Sequence, residues 1–90
     1  MFSIRTTKRF DKAVRRIQKR GLDLAPLIQV VDMLRQTGSL PKEYRPHVLS
    51  GNYDGVWECH IKNDWLLLWK QDNDEMTLLM LNTGTHSDLF

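Results

Sequence analysis

His47, His60 and His86 are the only three histidines of the chain, and all lie in its second half. His60 begins the run His60-Ile61-Lys62-Asn63-Asp64-Trp65, and His86 begins His86-Ser87-Asp88-Leu89-Phe90. Imidazole is the one side chain that titrates near neutral pH unperturbed. Three of them beside a carboxylate and two aromatics suit proton transfer on a substrate that stacks on aromatic rings, and nucleobases fit that description. Each residue also has a plainer use: a surface histidine, a core tryptophan, a turn aspartate, a frayed terminal phenylalanine. Taken together those uses lose force, because the first half holds no histidine and a terminal aromatic matters only if the terminus is docked.

These residues must be positioned by a small number of elements. Phe2 to Arg5 reads as a short strand, and Thr6 or Thr7 offers an N-cap hydroxyl for a helix carrying Phe10, Ala13, Val14 and Ile17 on one apolar stripe. Gly21 suits the end of that helix. Asp23 is positioned to cap a second helix with Pro26 in its first turn and Leu24, Leu27, Ile28, Val31 and Leu34 as its buried face, ending at Gly38. Leu40 to Pro46, with prolines at 41 and 46, reads as an extended loop.

Beyond it the pattern turns to strands at His47–Ser50, Gly55–Lys62, Trp65–Gln71 and Glu75–Asn82. Turn residues at 51–54, 63–64 and 72–74 make the last three an antiparallel meander. Alternation puts Trp57, Cys59 and Ile61 on one face and Glu58, His60 and Lys62 on the other, so His60 points away from the main core. The expected fold is α+β: one domain over residues 1–90, an N-terminal helical hairpin packed on a small, mainly antiparallel sheet of four to five strands.

Composition excludes several classes. Ninety residues with 41% hydrophobic and 27% charged content suit one globular domain with a modest stability reserve. No apolar run approaches the roughly 20 residues of a membrane span. Arg5, Lys8 and Arg9 interrupt anything like a signal peptide, and the single Cys59 cannot form an internal disulfide, so a cytoplasmic protein with a buried thiol is expected. Charge is divided unevenly. Met1 to Arg45 carries 11 Lys and Arg against four Asp and Glu, a balance of +7, while Pro46 to Phe90 carries two against seven, a balance of −5. Lys8, Arg9, Lys12, Arg15, Arg16, Lys19 and Arg20 share the first predicted helix, which can offer a positive face to a polyanion or an acidic partner.

Three blocks, Arg45-Pro46-His47-Val48-Leu49-Ser50-Gly51, Cys59-His60-Ile61-Lys62-Asn63-Asp64-Trp65-Leu66-Leu67 and Thr83-Gly84-Thr85-His86-Ser87-Asp88-Leu89-Phe90, closely resemble the YafQ branch of the RelE-like bacterial toxins, and the resemblance covers essentially the whole chain. It implies a RelE-like fold and a ribosome-dependent messenger RNA endonuclease that needs no cofactor and acts in the ribosomal A site. It further implies control by a DinJ-like antitoxin, through which operator DNA is contacted. The residues matching His47, His60, Asp64 and His86 form the catalytic cluster of that family. Those matching Trp65 and Phe90 position or stack the RNA, and Arg45, beside His47, joins them as a substrate-binding candidate. Trp69, where a smaller residue is expected, and Thr85, in place of a frequent serine, depart from the pattern without touching the chemistry.

Metal-free RNA cleavage requires a base for a ribose 2′-hydroxyl, a cation for the phosphorane and an acid for the leaving 5′-oxygen. His86 suits the acid, Asp64 or His60 the base or its orienting partner, and His47 the phosphate brace. Three histidines and an aspartate also suggest zinc or manganese, but no HxH or HxxxH pairing is present, so no metal is expected. A helix-turn-helix DNA binder is disfavoured because Arg35 is the only basic residue between Leu24 and Gln36. A non-enzymatic module binding nucleic acid or an antitoxin-like partner through its basic first helix is the remaining alternative.

Overall fold

The computed structural model describes residues 1–90. Strand β1 (Ser3–Thr6) leads to helix α1 (Lys8–Lys19), where Thr7 is the N-cap: its backbone is extended and its hydroxyl accepts the Phe10 N–H at 3.0 Å. Phe10, Ala13 and Ile17 are buried, as the stripe predicts, with Val14 half-buried beside them.

Helix α2 (Ala25–Thr37) departs from expectation in two ways. Its N-cap is Leu24, which makes no side-chain cap, whereas Asp23 accepts the Ala25 N–H at 3.0 Å in a turn leading into the helix. Its buried face is Leu27, Val30 and Leu34, and Ile28, expected inside, is 63% exposed. Ile28 lies about 100° round the helix from Leu27, and the sheet contacts the side centred on Leu27 and Leu34. Val30 fills the buried position instead. Leu40 to Pro46 is not simply extended, because Pro41 leads into a 3-10 turn (Lys42–Tyr44) that closes at Arg45 in the left-handed region, φ 49°.

Four more strands, β2 (His47–Val48), β3 (Trp57–Lys62), β4 (Trp65–Asp72) and β5 (Thr77–Gly84), complete a five-stranded sheet of order β1-β5-β4-β3-β2. β1 runs parallel to β5 and every other pair is antiparallel, so the predicted meander is present with β1 added at its edge. The sheet is therefore mixed but mostly antiparallel, with two helices on one face.

Alternation decides what each face holds. Cys59, Ile61, Leu67, Trp69, Leu78 and Met80 meet Phe2, Phe10, Leu27, Val30 and Leu34 in the main core. Burying each large aliphatic side chain there is worth about 1.5–3 kcal/mol. Trp69 is almost wholly buried and stacks on Trp57 with ring centroids 5.8 Å apart, so its bulk is spent on packing. Glu58, His60, Leu66 and Leu68 occupy the other face, as their register across β3 and β4 requires. A one-turn helix, α3 (His86–Leu89), follows β5 and was not foreseen from the sequence pattern.

Candidate active site

Strand register brings the distant segments together. His47 lies directly opposite Glu58 across β2 and β3, and Glu58 shares its face with His60 two residues on. Across β4 and β5, Leu66 is opposite Gly84; continuing that register by two residues past the strand ends sets Asp64 against His86. The two-residue turn that carries Asp64 has Asn63 at φ 40°, a left-handed conformation that asparagine tolerates. A register irregularity between His60 and Lys62 adjoins it.

The result is a row of rings along the face opposite α1 and α2. Ring centroids are 6.4 Å apart for His47 and His60, 6.2 Å for His60 and His86, and 6.3 Å for His86 and Phe90. Tyr53 extends the row, meeting Phe90 edge-on at 5.1 Å.

Each histidine has a defined partner. His86 Nδ1 lies 2.6 Å from Asp64 Oδ1, and the same oxygen accepts the His86 backbone N–H at 3.2 Å. These contacts, the ring hydrogen bond foremost, hold the Asp64 carboxyl below its ordinary range, so it stays ionised at neutral pH. With Nδ1 engaged, His86 Nε2 is left to face a ligand. His47 Nδ1 lies 2.7 Å from the Arg45 carbonyl oxygen, and its Nε2 is 3.2 Å from Glu58 Oε1. The same Glu58 oxygen is 3.9 Å from His60 Nε2.

Glu58 is a candidate site residue that sequence reasoning missed. It is only 6% exposed, and its carboxylate stands between two imidazoles. The signal was available: alternation already placed it on the His60 face, two residues away. Tyr53, hidden in a predicted turn, was missed as well.

Of the residues singled out from the sequence, His47, His60, Asp64, His86 and Phe90 converge. Trp65 does not join the row. Alternation along β4 turns it to the helix face with Leu67 and Trp69, where it packs against the core and its indole N–H donates to Thr83 Oγ1 at 3.0 Å. It lines a cavity of about 360 Å³ with Ile17, Arg20 and Pro26, which Asp64 borders as well. Arg45 contributes its carbonyl to His47, while its side chain is exposed.

The six cations of α1 and Arg20 at its C-cap are all exposed, and Lys8, Arg9, Lys12 and Arg16 line a groove of about 520 Å³ against Leu89. Only Arg16 and Arg20 among them reach a carboxylate, both at Asp88. No three His, Cys, Asp or Glu side chains converge closely enough to hold a metal ion. No helix is long and apolar enough to cross a membrane.

Residues 2–90 match the family described as the bacterial toxin of the type II toxin-antitoxin system, YafQ. This chain belongs to the YafQ family. It is a homologue of the mRNA interferase toxin YafQ of Escherichia coli K12, 34% identical over 82 residues that make up 90% of this chain and 87% of that one. A metal-bound toxin from Helicobacter pylori is 39% identical over all of both chains, with a TM-score of 0.89. YafQ in the Escherichia coli DinJ-YafQ complex is 31% identical, over 100% of this chain and 99% of that one, with a TM-score of 0.87. The RelE-like α+β fold expected from the sequence is thus the fold of YafQ structures.

Proposed function

We propose that this YafQ-family protein is a ribosome-dependent endoribonuclease that cuts messenger RNA in the A site without a metal ion and so inhibits translation. One observation carries the reading: the ionised Asp64 holds His86 Nδ1 at 2.6 Å, leaving Nε2 toward a row of imidazoles that ends on a half-exposed phenylalanine. His60 takes the proton of the ribose 2′-hydroxyl. The freed oxygen attacks the adjacent phosphorus and the bond to the 5′-oxygen breaks. His86 gives its Nε2 proton to that oxygen, leaving a 2′,3′-cyclic phosphate and a 5′-hydroxyl end.

Asp64 orients His86 through Nδ1, as a carboxylate does for a catalytic imidazole elsewhere. That role is more specific than the base first considered for it. His47, oriented by the Arg45 carbonyl at Nδ1, braces a phosphate oxygen once its Nε2 is exchanged from Glu58 to the RNA. Phe90, with Tyr53 behind it, offers a face to an unstacked base, worth about 1–3 kcal/mol. Trp65 supports the Asp64 turn from the opposite face, and only its edge in the neighbouring cavity is free for a nucleotide. The exposed α1 cations grip ribosomal RNA or an acidic segment of a DinJ-like antitoxin, through which operator DNA is reached. Such a protein works in the cytoplasm, where ribosomes are.

The test is to incubate the protein with ribosomes carrying a defined messenger, map the cut ends, and compare His86→Ala, naked RNA and added chelator. Ribosome-dependent, chelator-resistant cleavage that falls by about 10²- to 10⁴-fold in His86→Ala is expected. Cleavage abolished by the chelator would refute the metal-free chemistry. Absence of cleavage in both proteins would leave a binding module acting through α1.

A further inference from the structure

Two of the exposed basic residues at the end of α1, Arg16 in its last turn and Arg20 at its C-cap, also reach a carboxylate. Arg20 Nη1 lies 3.4 Å from Asp88 Oδ2, and Arg16 Nη1 lies 4.0 Å from Oδ1 of the same carboxylate, whose side chain is only 19% exposed. Asp88 is also half of a capping box: its Oδ2 accepts the Thr85 N–H at 3.1 Å, and its own N–H donates to Thr85 Oγ1 at 3.1 Å. The backbone is drawn in at the same point. A Cβ on Gly84 would lie 2.8 Å from Asp88 Oδ2 and 2.9 Å from its Cβ, at a φ of 148° that side chains rarely adopt.

These contacts bear on the site because α3 is one turn long. A four-residue helix cannot hold itself together by its own hydrogen bonds. Its position must come from what ties it down, and Asp88 lies two residues from both His86 and Phe90. The ties have two sides. On the site side Asp64 holds the His86 ring and backbone. On the far side Asp88 holds α3 to the last turn of α1, itself seated in the core by Ile17.

We infer that Arg20 and Asp88 are positioning residues that clamp α3 to α1 and so set His86 and Phe90 in the ring row, Arg20 acting through Asp88 and not on the RNA. Asp88 is fit for this role at neutral pH. The Thr85 backbone N–H, and after it Arg20, keep its carboxyl below the ordinary range and therefore charged. The inference makes a surface arginine of the basic helix part of the site's scaffold. For its activity arm it rests on the nuclease reading.

The test is a double-mutant cycle of Arg20→Gln, Asp88→Asn and both together, with Arg20→Lys and Gly84→Ala alongside. Ribosome-dependent cleavage is resolved into kcat and the half-saturating ribosome concentration, and the Thr85 to Phe90 backbone amides are followed by NMR without ribosomes. A clamp lowers kcat about tenfold in each single variant, leaves half-saturation within about twofold, and makes the double variant no worse than the single ones. Arg20→Lys recovers part of the loss. Gly84→Ala, which disturbs Asp88 without removing a charge, shows the same kcat signature. The His86 and Phe90 amides shift alike in Arg20→Gln and Asp88→Asn.

The inference is overturned if the two losses multiply to about 100-fold, or if Arg20→Gln raises half-saturation while Asp88→Asn does not, which would make Arg20 a polyanion contact. Unmoved His86 and Phe90 amides overturn it as well. Because the amide measurement needs no nuclease, a wild-type protein that fails to cleave would sink the functional reading while the clamp is still decided.

Discussion

Glu58 shows how much one side chain can do for its neighbours. Its carboxylate is buried beside two imidazoles, 3.2 Å from His47 Nε2 and 3.9 Å from His60 Nε2. A buried carboxylate is tolerable only where partners offset its lost hydration, and here those partners are the residues proposed to meet phosphate and 2′-hydroxyl. Glu58→Gln keeps the shape and removes the charge. Expected is a fall of about 10- to 100-fold in kcat, because the carboxylate that stands against both imidazoles loses its charge while its shape is kept. Single-turnover cleavage at neutral pH checks it, and an unchanged rate would show that Glu58 serves packing alone.

At the scale of elements, most of what positions the site was legible from period and punctuation. Thr7 caps α1, the apolar stripe of α1 is buried, and the alternation that turned His60 outward also set Trp65 inward. What failed did so for local reasons. Four apolar residues compete for two sides of α2, and only the position of the sheet decided that Val30 goes in and Ile28 stays out. The left-handed turn at Arg45 and the single turn of α3 are each too short to produce a periodic signal.

The end of α2 gives an element-scale prediction. Gly38 stands at φ 73°, a Cβ there would come within 2.6 Å of the Phe2 ring, and its carbonyl accepts from Gln71 Nε2 at 2.8 Å. Gly38→Ala combines left-handed strain with an overpacked contact and should lower unfolding free energy by about 2–4 kcal/mol. Urea unfolding followed by tryptophan fluorescence measures it; a change below about 0.5 kcal/mol would mean that Phe2 yields freely.

For the whole molecule, Cys59 reports on cooperativity. It is fully buried on β3, on the sheet face that meets the helices, and burial first, then the Glu58 charge, pushes its thiol up to about 12. The native thiol therefore stays protonated while an unfolded one ionises from about pH 8.5 upward. The native state then binds more protons, so the contribution of Cys59 to stability is complete below that value and shrinks as pH rises toward about 12. Alkylation at pH 8 should be slow in the native protein and accelerate in urea in step with global unfolding. Rapid labelling without urea would reveal local opening of β3.

The amino-acid sequence by itself determined the element types, the split of charge, the facing of the strands and the identity of the histidine-bearing segments. All of these follow from spacing of two or 3.6 residues along one chain, or from blocks of residues that match a family. Only the tertiary structure decided that Glu58 stands between His47 and His60 and that Arg16 and Arg20 are engaged at Asp88. Those outcomes depend on which strand lies beside which and where a helix end meets a terminus. Such contacts join residues as far apart as Arg20 and Asp88, and no local period encodes them.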